Sequence, residues 1–326
     1  MGASLKDVAT LAGVSTKTVS NVVNDYPFVT PETRAKVRQA IETLDYRPNL
    51  SARQLRGGRT GLVALAVPEI SLPYFAELAG AVVQQAKERG WTVLVDQTFG
   101  ERDTERLVAE GIKSHLADGL IVSPLALTAR DIDERRATPP LVLLGERLSP
   151  APVDNVTIDY VAGARVATQH LLDLGRTRIA AIGTGALRLK GYRNALRKAD
   201  ISYDKALIAP VAGYRRADGA AAMRHLLGSQ APDAVFCFSD TLALGAIRTL
   251  LRSGRRVPDD VAVIGFDDID EGGFSTPSLS TIAPDKAQIA ELALGLLGRR
   301  IADRSAEAQE AVADHALIVR ESTAGL

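Results

Sequence analysis

Leu5-Lys6-Asp7-Val8-Ala9-Thr10-Leu11-Ala12-Gly13-Val14-Ser15-Thr16-Lys17-Thr18-Val19-Ser20-Asn21-Val22-Val23 carries the reading of the amino-terminal fold. Its first eight residues put Leu5, Val8, Ala9 and Ala12 on one face of a short helix, and Gly13 permits a tight turn at its end. Ser15 is a good N-cap for a second helix, on which Val19, Val22 and Val23 share a face while Thr16, Lys17, Ser20 and Asn21 lie on others. Two short helices joined by a glycine-containing turn make a helix-turn-helix, whose second helix can enter the major groove of DNA. A third helix starts with Thr30 as cap and Pro31 at its first position, and runs through Val37, Ala40, Ile41 and Leu44. The same periodicity also fits a plain three-helix bundle with no nucleic-acid role. Side-chain chemistry favours DNA, because the start of the second helix offers hydroxyls, an amide and an ammonium, with no acid until Asp25.

Carboxyl-terminal to this bundle lies Arg47-Pro48-Asn49-Leu50-Ser51-Ala52-Arg53-Gln54-Leu55-Arg56-Gly57-Gly58. Pro48 suits a first helical turn and the paired glycines end it, which leaves about two turns, too few to be stable alone in water. Arg53 and Arg56 are polar, whereas Leu50, Ala52 and Leu55 form a thin apolar stripe. Such a helix needs a partner surface.

From Gly61 the pattern becomes short apolar runs alternating with helical segments. Strands are expected at 62–67, 91–95, 120–122, 141–144, 179–182, 235–238 and 261–266. Helices are expected at 75–89, 104–114, 162–174, 192–199, 218–227 and 242–252. Continuous apolar strands alternating with helices indicate parallel sheets covered on both faces, and at this length two sheets are expected rather than one. A seam falls near Pro150 to Thr157. Open parallel sheets bind ligands at the carboxyl ends of their strands, which marks Glu69, Ser71, Ser123, Ser239, Asp240, Asp267 and Asp268 as polar candidates.

The chain has 326 residues, 46% hydrophobic and 24% charged, the composition of an ordinary globular protein of two or three domains. No apolar run approaches the roughly 18 residues of a membrane span, and residues 1–7 lack the apolar core of a secretory signal, so a cytoplasmic location without a membrane partner is expected. The single cysteine, Cys237, sits in an apolar run and reads as a buried thiol. Net charge is zero, yet residues 1–60 hold nine Lys/Arg against five Asp/Glu. That modest positive excess suits a polyanion.

The motifs Leu5-Lys6-Asp7-Val8-Ala9, Ala12-Gly13-Val14-Ser15, Thr18-Val19-Ser20, Val29-Thr30-Pro31-Glu32-Thr33-Arg34 and Tyr46-Arg47-Pro48-Asn49 resemble the LacI (lactose repressor) family of bacterial transcription regulators. The resemblance continues through Val67-Pro68, Pro73-Tyr74-Phe75, His170 to Gly175, Ser239 to Gly245, Gly265-Phe266-Asp267-Asp268 and Val319 to Thr323, almost the full chain. It implies an α plus α/β protein: a helix-turn-helix headpiece (1–46), a hinge helix and linker (47–60), and a core (61–326) like that of periplasmic sugar-binding proteins. In such a core two α/β lobes (about 61–156 with 285–312, and 157–284 with 313–326) are crossed three times by the chain. It also implies double-stranded operator DNA as partner, a small sugar-like effector, and a homodimer, with a tetramer as the alternative. Thr16, Lys17 and Asn21 would face base edges, with Ser15, Ser20, Asn24 and Thr33 toward phosphates. Leu55 would wedge into the minor groove, with Asn49, Ala52, Arg53 and Arg56 around it.

For the effector, the resemblance assigns Asp267 to hydroxyl binding and Arg188 to effector contact, where a guanidinium fork can grip two hydroxyls or a carboxylate. Ser71, Ser123, Glu146 and Ser239 join them, with Tyr74, Phe75 and Tyr214 as aromatic walls; core packing is the competing role for Phe75. Departures from the family pattern are Asn21 where most members have Arg, Gly145-Glu146 in place of Asp-Arg, Leu72 for Asn, Ser239 for Asn, and Pro284 and Lys286 at positions that often line the site. Lys286 with Arg188 leaves room for an anionic sugar derivative.

Competing chemistry is thin. Asp267-Asp268 has no His or Cys near it, and Gly183-Thr184-Gly185 with Arg188 lacks the third glycine of a dinucleotide fingerprint. His115, His170, His225 and His315 lack metal-ligand spacing. No cofactor, metal or catalytic residue is expected. The alternatives are an α/β enzyme acting on a sugar or nucleotide with the helical front as an interaction module, and a ligand-binding protein with no DNA role; a catalytic constellation would mark the first and a secretion signal the second.

Overall fold

A computed structural model describes residues 3–23, 26–46, 59–111, 116–135, 139–146 and 153–325. Asn24, and the hinge stretch with Asn49, Ala52, Arg53, Leu55 and Arg56, lie outside the described residues. The chain forms two compact units, residues 1–61 and 62–326.

In the first unit, α1 (Leu5–Ala12) opens on a reciprocal cap: the Ser4 backbone N–H donates to Asp7 Oδ2 at 2.8 Å and the Asp7 N–H donates to Ser4 Oγ at 3.3 Å. Gly13, at φ +65°, turns the chain so that α2 (Thr16–Val23) can begin, with Ser15 Oγ accepting the Thr18 N–H at 3.1 Å. Thr30 caps α3 (Pro31–Thr43), accepting the Thr33 N–H at 3.3 Å, and Pro31 occupies its first turn. Val8, Ala9, Val19, Val22, Val37 and Ala40 are the buried centre. Each valine buried here stabilises the bundle by about 1.5–3 kcal/mol, the main term holding helices this short.

The second unit holds two six-stranded sheets. Sheet one has the order β11-β5-β4-β3-β1-β2, with β1 (Leu62–Val67), β2 (Thr92–Gln97), β3 (Gly119–Val122), β4 (Leu141–Leu144), β5 (Asp154–Ile158) and β11 (Glu310–Ala313), every pairing parallel. Sheet two has the order β12-β10-β9-β8-β6-β7, with β6 (Ile179–Ile182), β7 (Ile208–Ala209), β8 (Ala234–Cys237), β9 (Ala262–Phe266), β10 (Ser280–Pro284) and β12 (His315–Ile318). Only β12 runs antiparallel to its neighbour. The helices of this unit are α4 (Pro73–Glu88), α5 (Arg102–Ala109), α6 (Ala129–Asp133), α7 (Tyr160–Asp173), α8 (Ala186–Lys198), α9 (Arg216–Ser229), α10 (Asp240–Arg252), α11 (Asp270–Phe274), α12 (Lys286–Ala302) and α13 (Glu321–Ala324).

Three crossings join the sheets, each at one aspartate between consecutive elements: Asp159 before α7, Asp285 before α12 and Asp314 between β11 and β12. Asp159 and Asp285 cap the helices that follow, accepting the Ala162 N–H at 2.8 Å and the Gln288 N–H at 2.9 Å. The Asp285 N–H donates to the Asp314 carbonyl at 3.0 Å, and Gln288 bonds both the Asp314 N–H and its carboxylate. The crossings are therefore short and few, and two of the three are bonded to each other, which suits a hinge.

Several elements were invisible to periodicity. β5 begins Asp154-Asn155, polar residues that are nonetheless buried because Asp154 accepts from Arg299 at 2.8 Å, Arg300 at 2.8 Å and the Gln309 N–H at 2.8 Å. β10, β11, β12 and α12 were likewise not expected, and α5 ends at Ala109 rather than continuing to 114. β2 starts at Thr92, leaving Trp91 packed beside Gly298. As an edge strand it is not covered on both faces: Leu94 is 43% and Val95 46% exposed. Cys237 is buried as expected.

Asp240, fully buried at the first position of α10, accepts from Thr281 Oγ1 at 2.6 Å and from the Ile269 N–H at 3.0 Å. Burial pushes its carboxyl up to about 7 despite these bonds. A group whose folded pKa is raised contributes most below its unfolded pKa and loses that contribution as pH rises toward the folded value. The unfolding free energy of Asp240→Asn relative to the parent is therefore expected to climb between pH 4 and 7 by roughly 3 kcal/mol and to level off above, as read from denaturant titrations.

Candidate DNA-reading helix and ligand cleft

In the first unit Ser15, Thr16 and Lys17 are exposed at the start of α2, and Ser20, Asn21 and Thr33 are half-buried. α2 has no acidic residue in its first turn, so its amino-terminal partial positive charge stands uncompensated beside the Lys17 ammonium. Hydroxyls, an amide and one cation on an exposed helix start can serve both phosphates and base edges.

In the second unit one cavity of about 370 Å³ lies between the sheets. Its polar residues stand just past strand ends: Ser123 after β3, Gly145 and Glu146 after β4, Thr184 and Gly185 after β6, Ser239 after β8 and Asp267 after β9. Tyr74 and Phe75 enter from the first turn of α4, Arg188 from the first turn of α8, and Tyr214 from the turn before α9. Ser239 also caps α10, accepting the Leu242 N–H at 3.3 Å, and Tyr214 donates its hydroxyl proton to the Thr184 carbonyl.

The charged groups are poised rather than satisfied. Arg188 lies 4.5 Å from the ring centres of both Tyr160 and Phe266, and its buried Nε has no hydrogen-bond partner among the described residues. Asp267 sits at φ +117°, a conformation rare for a residue with a side chain, and burial pushes its carboxyl well above the usual carboxylate range although Arg188 opposes this. Burial likewise raises the phenols of Tyr74, Tyr160 and Tyr214, which stay protonated as donors. A ligand offering both donors and acceptors would complete these groups.

Eight of the nine expected effector residues, Tyr74, Phe75, Ser123, Glu146, Arg188, Tyr214, Ser239 and Asp267, line this cavity. Ser71 does not; its hydroxyl donates to Glu69 at 2.6 Å. Glu69 is turned to Arg215 across the gap at 2.6 Å, Asp268 pairs with Arg320 at 2.8 Å, and Asp240 is internal. Lys286 is spent on Glu77 at 3.0 Å and the Asp268 carbonyl at 2.7 Å, which removes the second cation expected for an anionic ligand. Glu77 also accepts the Asp270 N–H at 2.9 Å. Sequence reasoning missed Tyr160, Thr184 and Thr241 in the lining. Tyr160 follows β5, which polar residues concealed; Thr184 and Thr241 lie within the quoted stretches Gly183-Thr184-Gly185 and Ser239 to Gly245 and could have been found.

Among the described residues no group of three or more His, Cys, Asp or Glu could hold a metal, and no helix is long and apolar enough to cross a membrane. A helix-turn-helix followed by a hinged two-lobed α/β core with a polar, aromatic cleft defines an effector-binding DNA regulator.

Comparison with known proteins agrees. Residues 4–49 match bacterial regulatory proteins of the lacI family, and residues 168–323 match the periplasmic binding protein-like domain. The ribose operon repressor of Escherichia coli (strain K12) is 35% identical over 318 residues, 94% of this chain and 96% of that protein. A LacI-family putative transcriptional regulator of Sanguibacter keddieii is 44% identical with a TM-score of 0.76, covering 82% of this chain and 100% of that one. The lac repressor dimer bound to operator and the anti-inducer ONPF is 26% identical with a TM-score of 0.85, covering 99% of each chain. The chain belongs to the LacI family: it is a DNA-binding transcriptional regulator, not an enzyme.

Proposed function

We propose that this protein is a cytoplasmic repressor that binds a two-fold operator as a homodimer and is controlled by a small, uncharged, sugar-like effector in the cleft between its lobes. The observation that carries the effector reading is the Arg188 Nε, unpartnered among the described residues, on a guanidinium lying over Tyr160 and Phe266 in one cavity with Asp267 and the hydroxyls of Ser123 and Ser239. Fork donors, a carboxyl and ring faces are what a polyhydroxylated ring needs. With Lys286 committed to Glu77, Arg188 is the only cation among the described residues lining the cavity, and Glu146 stands in the same lining, which disfavours an anion. The ribose operon repressor takes its name from a sugar operon, in keeping with this class. Control follows if the effector binds one lobe geometry better than another, and the Glu69–Arg215 ion pair and the Asp270 N–H bond to Glu77 are the contacts such a movement would strain.

Selecting bound duplexes from random DNA with the purified protein, then competing with a panel of sugars, tests this directly. Enrichment of a palindrome that some sugar modulates supports the reading; absence of any enriched palindrome at moderate salt would sink it.

Two outcomes concern the interfaces. Asn21 on α2 suits adenine, so Asn21→Arg is expected to move the preferred base opposite it toward guanine, with about 1–3 kcal/mol of altered discrimination in competition binding. The edge strand β2 exposes Leu94 and Val95, with Val83 of neighbouring α4 45% exposed, an apolar surface suited to a second copy of the chain. Val95→Glu is expected to weaken the dimer at least tenfold in sedimentation equilibrium and to weaken operator binding with it.

A further inference from the structure

The turn that follows β9 is strained and held at every donor. Asp267 at φ +117° and Asp268 at φ +49° are consecutive side-chain-bearing residues with left-handed backbone, at a cost of about 1–3 kcal/mol each. The backbone N–H groups of residues 267 to 270 find, in order, the Ile282 carbonyl at 2.8 Å, Thr281 Oγ1 at 3.4 Å, Asp240 Oδ2 at 3.0 Å and Glu77 Oε1 at 2.9 Å. Arg320 donates to the Asp268 carboxylate at 2.8 Å. Ile282, Thr281, Asp240 and Arg320 belong to the same lobe as the turn, the one built on sheet two. Glu77 does not.

Glu77 lies on α4, in the lobe of sheet one. α12 packs on α4 and on β3, β4 and β5 of that sheet, and Gln85 of α4 donates to the Ala287 carbonyl in the first turn of α12 at 2.8 Å. Lys286 opens α12, so its ammonium reaches from the same lobe, donating to the Asp268 carbonyl at 2.7 Å and pairing with Glu77 Oε2 at 3.0 Å. One turn of the sheet-two lobe is therefore gripped at a C=O by an ammonium and at an N–H by a carboxylate, and the two gripping groups are paired with each other across α4 and α12. α11, which starts at Asp270 behind the apolar Ile269, has no side-chain cap of its own, and the Glu77 carboxylate takes that place from the other lobe. Only 15% of the Lys286 side chain and 31% of the Glu77 side chain is exposed, against 70% for Arg215 in the Glu69–Arg215 pair, so water and salt weaken this grip less.

Resting on the reading that Asp267 serves the effector, we propose that Glu77 and Lys286 are positioning residues whose grip holds the Asp267 turn only while the lobes stand together. Parting of the lobes withdraws the ammonium and the carboxylate as one unit and frees the Asp268 C=O and the Asp270 N–H. The posture of Asp267 is thereby tied to lobe closure through the backbone of residues 268–270. Neither gripping residue touches the effector.

Hydrogen–deuterium exchange of the full chain with no ligand added tests the grip. In Lys286→Met, which keeps the apolar stem and loses the ammonium, exchange over residues 268–271 is expected to rise at least about tenfold while residues 242–250 of α10, in the same lobe, stay within about twofold of the parent. Lys286→Arg, which retains a cation, is expected to stay within about threefold of the parent. Glu77→Gln keeps an acceptor for the Asp270 N–H and gives up the ion pair; it is expected to fall between parent and Lys286→Met, and to add nothing when combined with Lys286→Met, because the two act as one unit. A rise below about threefold at 268–271 in Lys286→Met, or an equal rise across 242–250, overturns the grip. Repeating the measurement with D-glucose, D-galactose, D-xylose and D-ribose in turn tests the tie to the cleft. A sugar that protects the segment holding Arg188 is expected to protect 268–271 as well in the parent, and to protect it less than about half as much in Lys286→Met. Protection at Arg188 with none at 268–271 overturns the positioning role. Protection by none of the four sugars counts against the sugar reading and leaves the grip decided by the ligand-free exchange.

Discussion

Arg188→Ala is expected to weaken effector binding by about 10² to 10⁴-fold while operator affinity without effector stays within about threefold of the parent. The size follows from two charge-assisted hydrogen bonds at about 1.5–3 kcal/mol each, in a cleft where the guanidinium has few competing partners. Nothing in the described residues uses Arg188 Nε, and the guanidinium already lies over the rings of Tyr160 and Phe266, 4.5 Å from each ring centre, before the ligand arrives. Arg188→Lys separates charge from geometry, since it retains the cation and loses the planar fork; it is expected to recover no more than about a tenth of the lost affinity. Calorimetry with the sugar that binds the parent, beside operator titrations, reads both quantities. Equal loss of operator binding would mean that Arg188 supports the fold rather than the ligand.

Gly245→Val is expected to destabilise the second unit by about 3 kcal/mol or more, seen as a lower thermal midpoint for the core. α9 and α10 meet backbone to backbone: a Cβ on Gly245 would stand 2.0 Å from the Arg216 carbonyl oxygen, and one on Gly219 would stand 2.1 Å from that of Leu242. Neither obstacle is a side-chain end that could swing away, so the helices must separate, exposing Leu242, Ala246 and Met223 to water. Gly228 is the control. It ends the same helix, α9, with nothing within 4 Å of its Cβ position, and Gly228→Ala is expected to be neutral or to stabilise by up to about 1 kcal/mol. If both substitutions cost the same, the close approach of the helices is not what these glycines serve.

The legible parts of the chain share a physical property: they are local. Ser15 and Thr30 cap helices through bonds that span three residues, and the valines of α1, α2 and α3 repeat at helical spacing, so the first unit could be read from its own order. The apolar strands β1, β4 and β6 were likewise plain, because both faces of each are buried and no polar residue interrupts them. β5 was not, because Asp154 is tolerable inside only when Arg299 and Arg300 arrive from 145 and 146 residues away.

The candidate site divides along the same line. Arg188, Asp267 and the tyrosines were marked by motif, and the order of residues alone determined which groups end at strand termini. Only the tertiary structure decided which of them face the cavity. Ser71 was captured by a neighbour two residues away, Lys286 by a carboxylate on α4, and Tyr160 was brought in beside Phe266 at a ring separation of 6.1 Å. A side chain's chemistry is written in the sequence, but its availability depends on which opposite charge or donor the fold places within about 3 Å, and that competition is settled by packing between residues far apart in the chain.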